Sequence, residues 1–280
     1  MNIDVLNDYA SILEGIQPNH LRMRHKVLSN SCEIEYGEIK QGSNPDSCFV
    51  IPGSFSTAQS WDKTAESLMW CMGGDQFGKL VCVTPFGMGK SRIYGHRGHF
   101  GIADAYGELI DEVFPLGGKI TVIAHSKADW EALLLCMFYL KDRIRGLVLS
   151  SPVMLSKKST FQMLFTLISN YPRNGNTQLI NKLRSIREAF RVSFAGVMFQ
   201  LDELREMRDI NLRENIKEIN FPVLVVGGEH DIESVGNYHE CAELFGNASV
   251  RIIKGATHQF AHYNFDAFAR IVKDWMDKLQ

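Results

Sequence analysis

Short apolar runs alternate with longer, helix-like stretches along most of this chain. Residues 47–52, 79–84, 120–123, 144–150 and 222–226 are short, mostly apolar segments rich in β-branched side chains, the pattern of strands buried on both faces of a parallel sheet, and residues 249–254 predict a further strand. Between them, residues 57–71, 102–114, 130–140, 234–245 and 264–279 carry apolar positions at helical spacing and predict helices packed on that sheet. Residues 21–40 alternate more openly around Ser29-Asn30-Ser31 and predict two antiparallel strands at its start. Residues 1–20 read as an amphipathic helix broken at Pro18.

The strand–helix rhythm stops at Val153 and resumes after Asn220. The intervening residues show helical patterns alone, over 161–171, 178–199 and 201–219, with a turn at 172–176. The chain therefore divides into a core of residues 1–152 and 221–280 and a helical cap of residues 153–220. Met163, Phe165, Phe194 and Met198 in the cap, with Phe55 in the core, are candidates to line a substrate pocket. The cap has more Lys and Arg than Asp and Glu, which usually means a solvated face; docking of an acidic acyl carrier is the sharper reading.

With 280 residues, 45% of them hydrophobic, the chain is long enough for one large core. Thirty basic against 32 acidic residues give no field for nucleic acid. Neither a secretory signal nor a membrane span is legible. Six scattered cysteines without a Cys-x-x-Cys pair point to free thiols in a cytoplasmic setting.

The candidate chemistry lies where predicted strands end. Ser126 follows the 120–123 run with Ala124 and Ala128 two residues to either side, as a sharp strand-to-helix turn requires. Pro52-Gly53-Ser54-Phe55-Ser56 follows the first buried run, where a glycine lets the backbone turn its N–H groups toward the sheet's top edge. Gly228-x-x-Asp231 and Gly255-x-x-His258 close the last two runs at the edge where open parallel sheets bind ligands. Gly89-Lys90-Ser91 does not make a phosphate loop, because Thr84 stands where that motif needs its first glycine. His96 and His99 read as loop residues with surface roles, without a second pair of metal ligands. His125 reads as packing; Glu229 and Glu233 are alternative acids; His262, four residues after His258, has no evident third ligand for a metal.

A serine hydroxyl becomes a nucleophile when an imidazole takes its proton and a carboxylate orients that imidazole. Ser126, Asp231 and His258 supply this set in an order, with a helical insertion between the first two, that resembles the α/β-hydrolase family. The resemblance covers residues 21–280 and includes Gly53 with Trp61 eight residues on, similar to the family's oxyanion loop. It implies an α/β fold: a mostly parallel sheet flanked by helices, with the cap inserted. It further implies a cofactor-free, metal-free serine hydrolase cleaving a small carboxylic ester or thioester through an acyl-enzyme on Ser126, with backbone N–H groups of Lys127 and of Ser54, or alternatively Phe55, holding the oxyanion. Carbon–carbon bond hydrolysis, lyase chemistry and acyl transfer use the same three residues, and a small-molecule receptor on the same fold is the non-enzymatic alternative. Four positions depart from the family pattern: Ala124 and Ala128 flank Ser126 where glycine is usual, Pro52 replaces a histidine, and Lys127 puts a charge beside the nucleophile. That lysine is expected either to snorkel to solvent or to meet a polar substrate group.

Overall fold

The computed structural model describes residues 21–29, 32–94, 98–155, 194–206, 216–217, 219–231 and 237–279. Eight strands form one sheet: β1 (Arg22–Val27), β2 (Glu33–Lys40), β3 (Ser47–Ile51), β4 (Lys79–Val83), β5 (Ile120–His125), β6 (Ile144–Ser150), β7 (Val223–Gly228) and β8 (Ala248–Ile253). Their spatial order is β1-β2-β4-β3-β5-β6-β7-β8. β1 pairs antiparallel with β2, and β2 antiparallel with β4. All later pairings are parallel.

The continuous apolar runs are explained by two cores, one on each face. Phe49 and Ile51, Val81 and Val83, Val122 and Ala124, Leu147 and Leu149, and Val223 and Val225 enter one. The alternate residues Cys48 and Val50, Leu80 and Cys82, Ile123, Val148, and Leu224 and Val226 enter the other. Period-two alternation thus places an apolar side chain on each covered face. Helices α1 (Asp62–Gln76) and α6 (Phe265–Met276) cover the second face, joined by a hydrogen bond from Ser67 Oγ to Asp266 Oδ1 at 2.5 Å. Helices α2 (Gly98–Val113) and α3 (Asp129–Leu134) cover the first; α3 runs on through a π-helical turn at Leu135–Tyr139. Helix α5 (Asn237–Glu243) packs on β7 and β8.

Within the chain between β6 and β7, α4 (Phe194–Glu206) packs on α2 and on the loop after β4. The expected break between residues 199 and 201 is absent. Gln200 is fully buried, and its Nε2 donates to Phe86 O at 2.7 Å, so the polar residue that interrupts the apolar spacing faces inward. The expected helices at 1–20 and 161–171, most of that at 178–199, and the side chains of Met163, Phe165 and Phe194 lie outside the described residues; Met198 is exposed. All six cysteines are free thiols. No helix among the described residues is long and apolar enough to cross a membrane.

Candidate active site

Strand β5 ends at His125, and the chain turns through a 3-10 segment, Ser126–Ala128, directly into α3. Ser126 has φ of 56°. Left-handed backbone is unfavourable for a residue with a Cβ, and its persistence here means the surrounding packing imposes it. The small neighbours are necessary: Ala124 and Ala128 are each about 1% exposed between strand and helix.

Strands β7 and β8 deliver the other two groups. His258 Nε2 lies 2.9 Å from Ser126 Oγ, and His258 Nδ1 lies 3.0 Å from Asp231 Oδ2. A carboxylate accepts only, so Nδ1 carries hydrogen and Nε2 is left to accept from the serine hydroxyl. Backbone bonds bind the two loops together: His230 N–H donates to Ala256 O at 2.7 Å and Glu229 N–H to Ile253 O at 3.0 Å. Ser151 Oγ donates to the carbonyl of His258 at 3.0 Å from the end of β6. A Cβ on Gly228 would stand 2.4 Å from Ala256 O, so this close approach needs glycine. Glu229 bonds Gly255 N–H at 2.8 Å and stands away from the histidine's Nδ1; Glu233 lies outside the described residues.

Tyr238 was not legible as a site residue. Its hydroxyl donates to the Asp231 oxygen that meets His258, and its ring fills the space a Cβ on Gly227 would occupy. Removing that hydroxyl with Tyr238→Phe is expected to cost about 1–2 kcal/mol of stability, read by thermal melting, because a buried carboxylate loses a donor. Any turnover should fall about tenfold with it.

The loop after β3 abuts the nucleophile. Phe55 has φ of 60°, and Ser56 N–H closes the turn onto Gly53 O at 3.3 Å. A Cβ on Gly53 would lie 3.0 Å from both Ser126 Cβ and His125 O. Thr84 Oγ1, at the end of β4, accepts from Ala58 N–H at 3.0 Å and anchors the loop from below. Trp61 is fully buried, with its ring 5.4 Å from that of His125 and 4.8 Å from that of His262. His125 packs here as expected: burial, reinforced by His258 and His262, holds its pKa well below the ordinary histidine value, so it stays neutral.

Two expectations need correction. Lys127 neither reaches solvent nor stands open to a substrate. It is 3% exposed, with Nζ 2.9 Å from Glu131 Oε1 and 2.5 Å from Glu203 Oε2. His99 is a buried residue of α2, and not a surface one: its Nε2 donates to Glu203 O at 3.0 Å and its Nδ1 stands 3.5 Å from Glu131 Oε1. His99, Glu131 and Glu203 form the group among the described residues spaced to hold a metal, yet the Lys127 ammonium already provides a cation to both carboxylates. Asp129, also unforeseen, accepts from Val153 and Met154 N–H at 2.7 and 2.8 Å; burial pushes its pKa up to about 8. His96 lies outside the described residues.

No family model and no curated protein matches this chain. Solved structures do. An enol-lactonase from Burkholderia xenovorans superposes with a TM-score of 0.73 at 14% identity, over 91% of this chain and 100% of that one. A thermophilic esterase from Thermogutta terrifontis gives 0.71 at 16% identity, over 92% and 98%. A bacterial membrane phospholipase A gives 0.70 at 16% identity, over 99% and 92%. Identities this low speak to architecture alone, and with the strand order and pairings described above they establish that the chain has the α/β-hydrolase fold.

Proposed function

We propose that this protein is a serine hydrolase that cleaves a carboxylic ester or thioester through an acyl-enzyme on Ser126. The observation that carries the reading is the position of His258, within hydrogen-bond distance of Ser126 Oγ on one ring nitrogen and Asp231 on the other. As Ser126 Oγ attacks the acyl carbon, its proton passes to His258 Nε2, and Asp231 stabilises the imidazolium. The tetrahedral intermediate collapses as that proton is given to the leaving alcohol or thiol. Water, deprotonated by the same nitrogen, then releases the acid and restores Ser126.

The oxyanion would be held by the backbone N–H groups of Lys127 and Ser54. Lys127 is the second residue of the helical segment that begins at Ser126, where first-turn amides have no acceptor within the helix. Ser54 follows Gly53, whose backbone lies against the nucleophile. Gly53→Ala is therefore expected to push this loop back by a few tenths of an ångström and to lower kcat about tenfold with little change in stability, measured with p-nitrophenyl acetate and by melting. The described part of the chain between β6 and β7 fits a lid role for residues 153–220, with α4 seated beside the loop after β4. The three neighbours named above are an esterase, an enol-lactonase and a phospholipase A, which favours an ester among possible acyl substrates.

The test is incubation with a fluorophosphonate probe, intact-mass measurement and peptide mapping. One adduct on Ser126, lost in His258→Ala, is expected; an unlabelled protein refutes the reading and leaves a receptor on this fold. Comparison of p-nitrophenyl acetate with acetyl-coenzyme A separates esterase from thioesterase. A labelled protein that turns over neither would point to carbon–carbon bond cleavage.

A further inference from the structure

The residue after the proposed nucleophile carries a buried ammonium, and that ammonium is held by the insertion. Lys127 Nζ bonds Glu131, one turn along its own helix, and Glu203, on α4 between β6 and β7. Glu203 is fixed in turn: Gln200 Nε2 lies 3.2 Å from its Oε2, and His99 grips its main-chain carbonyl from α2. Lys127, Glu131, His99 and Glu203 are all at most 3% exposed.

Stability does not explain this arrangement, because apolar side chains of similar volume generally serve a buried site as well as ions do. Its charges are instead arranged to balance. Two carboxylates face one ammonium, and the imidazole of His99 stands beside the Glu131 oxygen that Lys127 also bonds. Burial opposes a charged His99, but Glu131 outweighs burial and raises the histidine's pKa, while burial raises that of Glu203. The other titratable groups that face the cluster are Tyr106 on α2 and Asp129 on α3, neither of them a cation.

A lysine side chain pinned at its tip restricts its own backbone, which here is the peptide joining Ser126 to Lys127 in a strained turn. We propose that Lys127 and Glu203 are positioning residues: their buried ion pair sets the Lys127 backbone N–H for oxyanion binding and makes the docking of α4 a condition for full turnover. The inference rests on the serine-hydrolase reading. It assigns the charge beside the nucleophile a role internal to the protein. Withdrawal of α4 would leave Lys127 with a buried charge and one fewer carboxylate, so the turn that presents the N–H would relax.

The test uses the full chain with p-nitrophenyl acetate as substrate and fluorophosphonate adducts to count competent sites. Glu203→Gln and Lys127→Met are each expected to lower kcat per labelled site by about 10- to 100-fold, a share of what loss of an oxyanion donor costs, with KM within about twofold. The double variant Lys127→Met/Glu203→Met removes both charges at similar volume and leaves Glu131 with His99. It is expected to regain the wild-type melting temperature without regaining kcat. A double variant whose kcat per labelled site stays within about twofold of wild type overturns the inference and leaves the cluster a brace for the fold. Failure of the underlying reading is visible separately: the wild-type protein then takes no label, and the inference falls with it.

Discussion

Replacing Ser126 with alanine is expected to abolish fluorophosphonate labelling and to lower p-nitrophenyl acetate turnover by roughly 10⁴- to 10⁶-fold, the range seen when an activated serine is lost. The fold should survive, since the side chain lies at the edge of the sheet and the cores on either face do not depend on its hydroxyl. A glycine at the same position gives a second, independent measurement. Ser126 has φ of 56°, a conformation that disfavours any residue with a Cβ and leaves glycine at ease. Ser126→Gly should be as inactive as Ser126→Ala yet more stable than it by about 1 kcal/mol, seen as a higher melting temperature. A glycine variant that melts below the alanine variant would show that the turn is not strained.

Asp231→Asn is expected to lower kcat by about 10⁴-fold while the fold persists. Two losses combine. The imidazolium formed on His258 no longer faces a negative charge, and an amide can present N–H groups to the ring nitrogen that Asp231 now meets as an acceptor at 3.0 Å. Tyr238 sharpens the effect, because its hydroxyl donates to the same oxygen and helps keep the carboxylate aimed at the ring. A loss under tenfold would move the acid's role elsewhere. Glu229 is the other acid on that loop, but its side chain is 45% exposed and already engaged with Gly255 N–H.

The architecture was legible because both faces of the central strands are covered. Each of these strands therefore reads as an apolar run, and the candidate residues sit past strand ends: Ser126 after β5, Asp231 after β7, and His258 in the loop after β8, an edge strand that is only partly buried. The supporting residues obey a different logic. Glu203 lies 76 positions from the lysine it binds, and His99 lies 104 from the carbonyl it holds, so no local spacing relates them. Buried charges also invert the usual pattern. Gln200 and Glu203 face inward on α4, which makes that helix look interrupted, and His99 looks like part of a polar loop because its partners are polar too. Tyr238 escaped for a simpler reason. Its neighbour Gly227 signals a close approach, but a sequence does not say which side chain approaches.

The separation of the site's parts along the chain gives the nucleophile a further use. Ser126 and His258 stand 132 residues apart, and the histidine loop is held by the Ser151 hydroxyl at the end of β6 and by main-chain bonds from the end of β7. Reactivity toward a covalent probe therefore requires the last two strands to have joined the sheet in register. In a refolding experiment, the appearance of adduct on Ser126 would act as a clock for arrival of the C-terminal segment, while the combined emission of Trp61, Trp70, Trp130 and Trp275 follows the consolidation of the two cores.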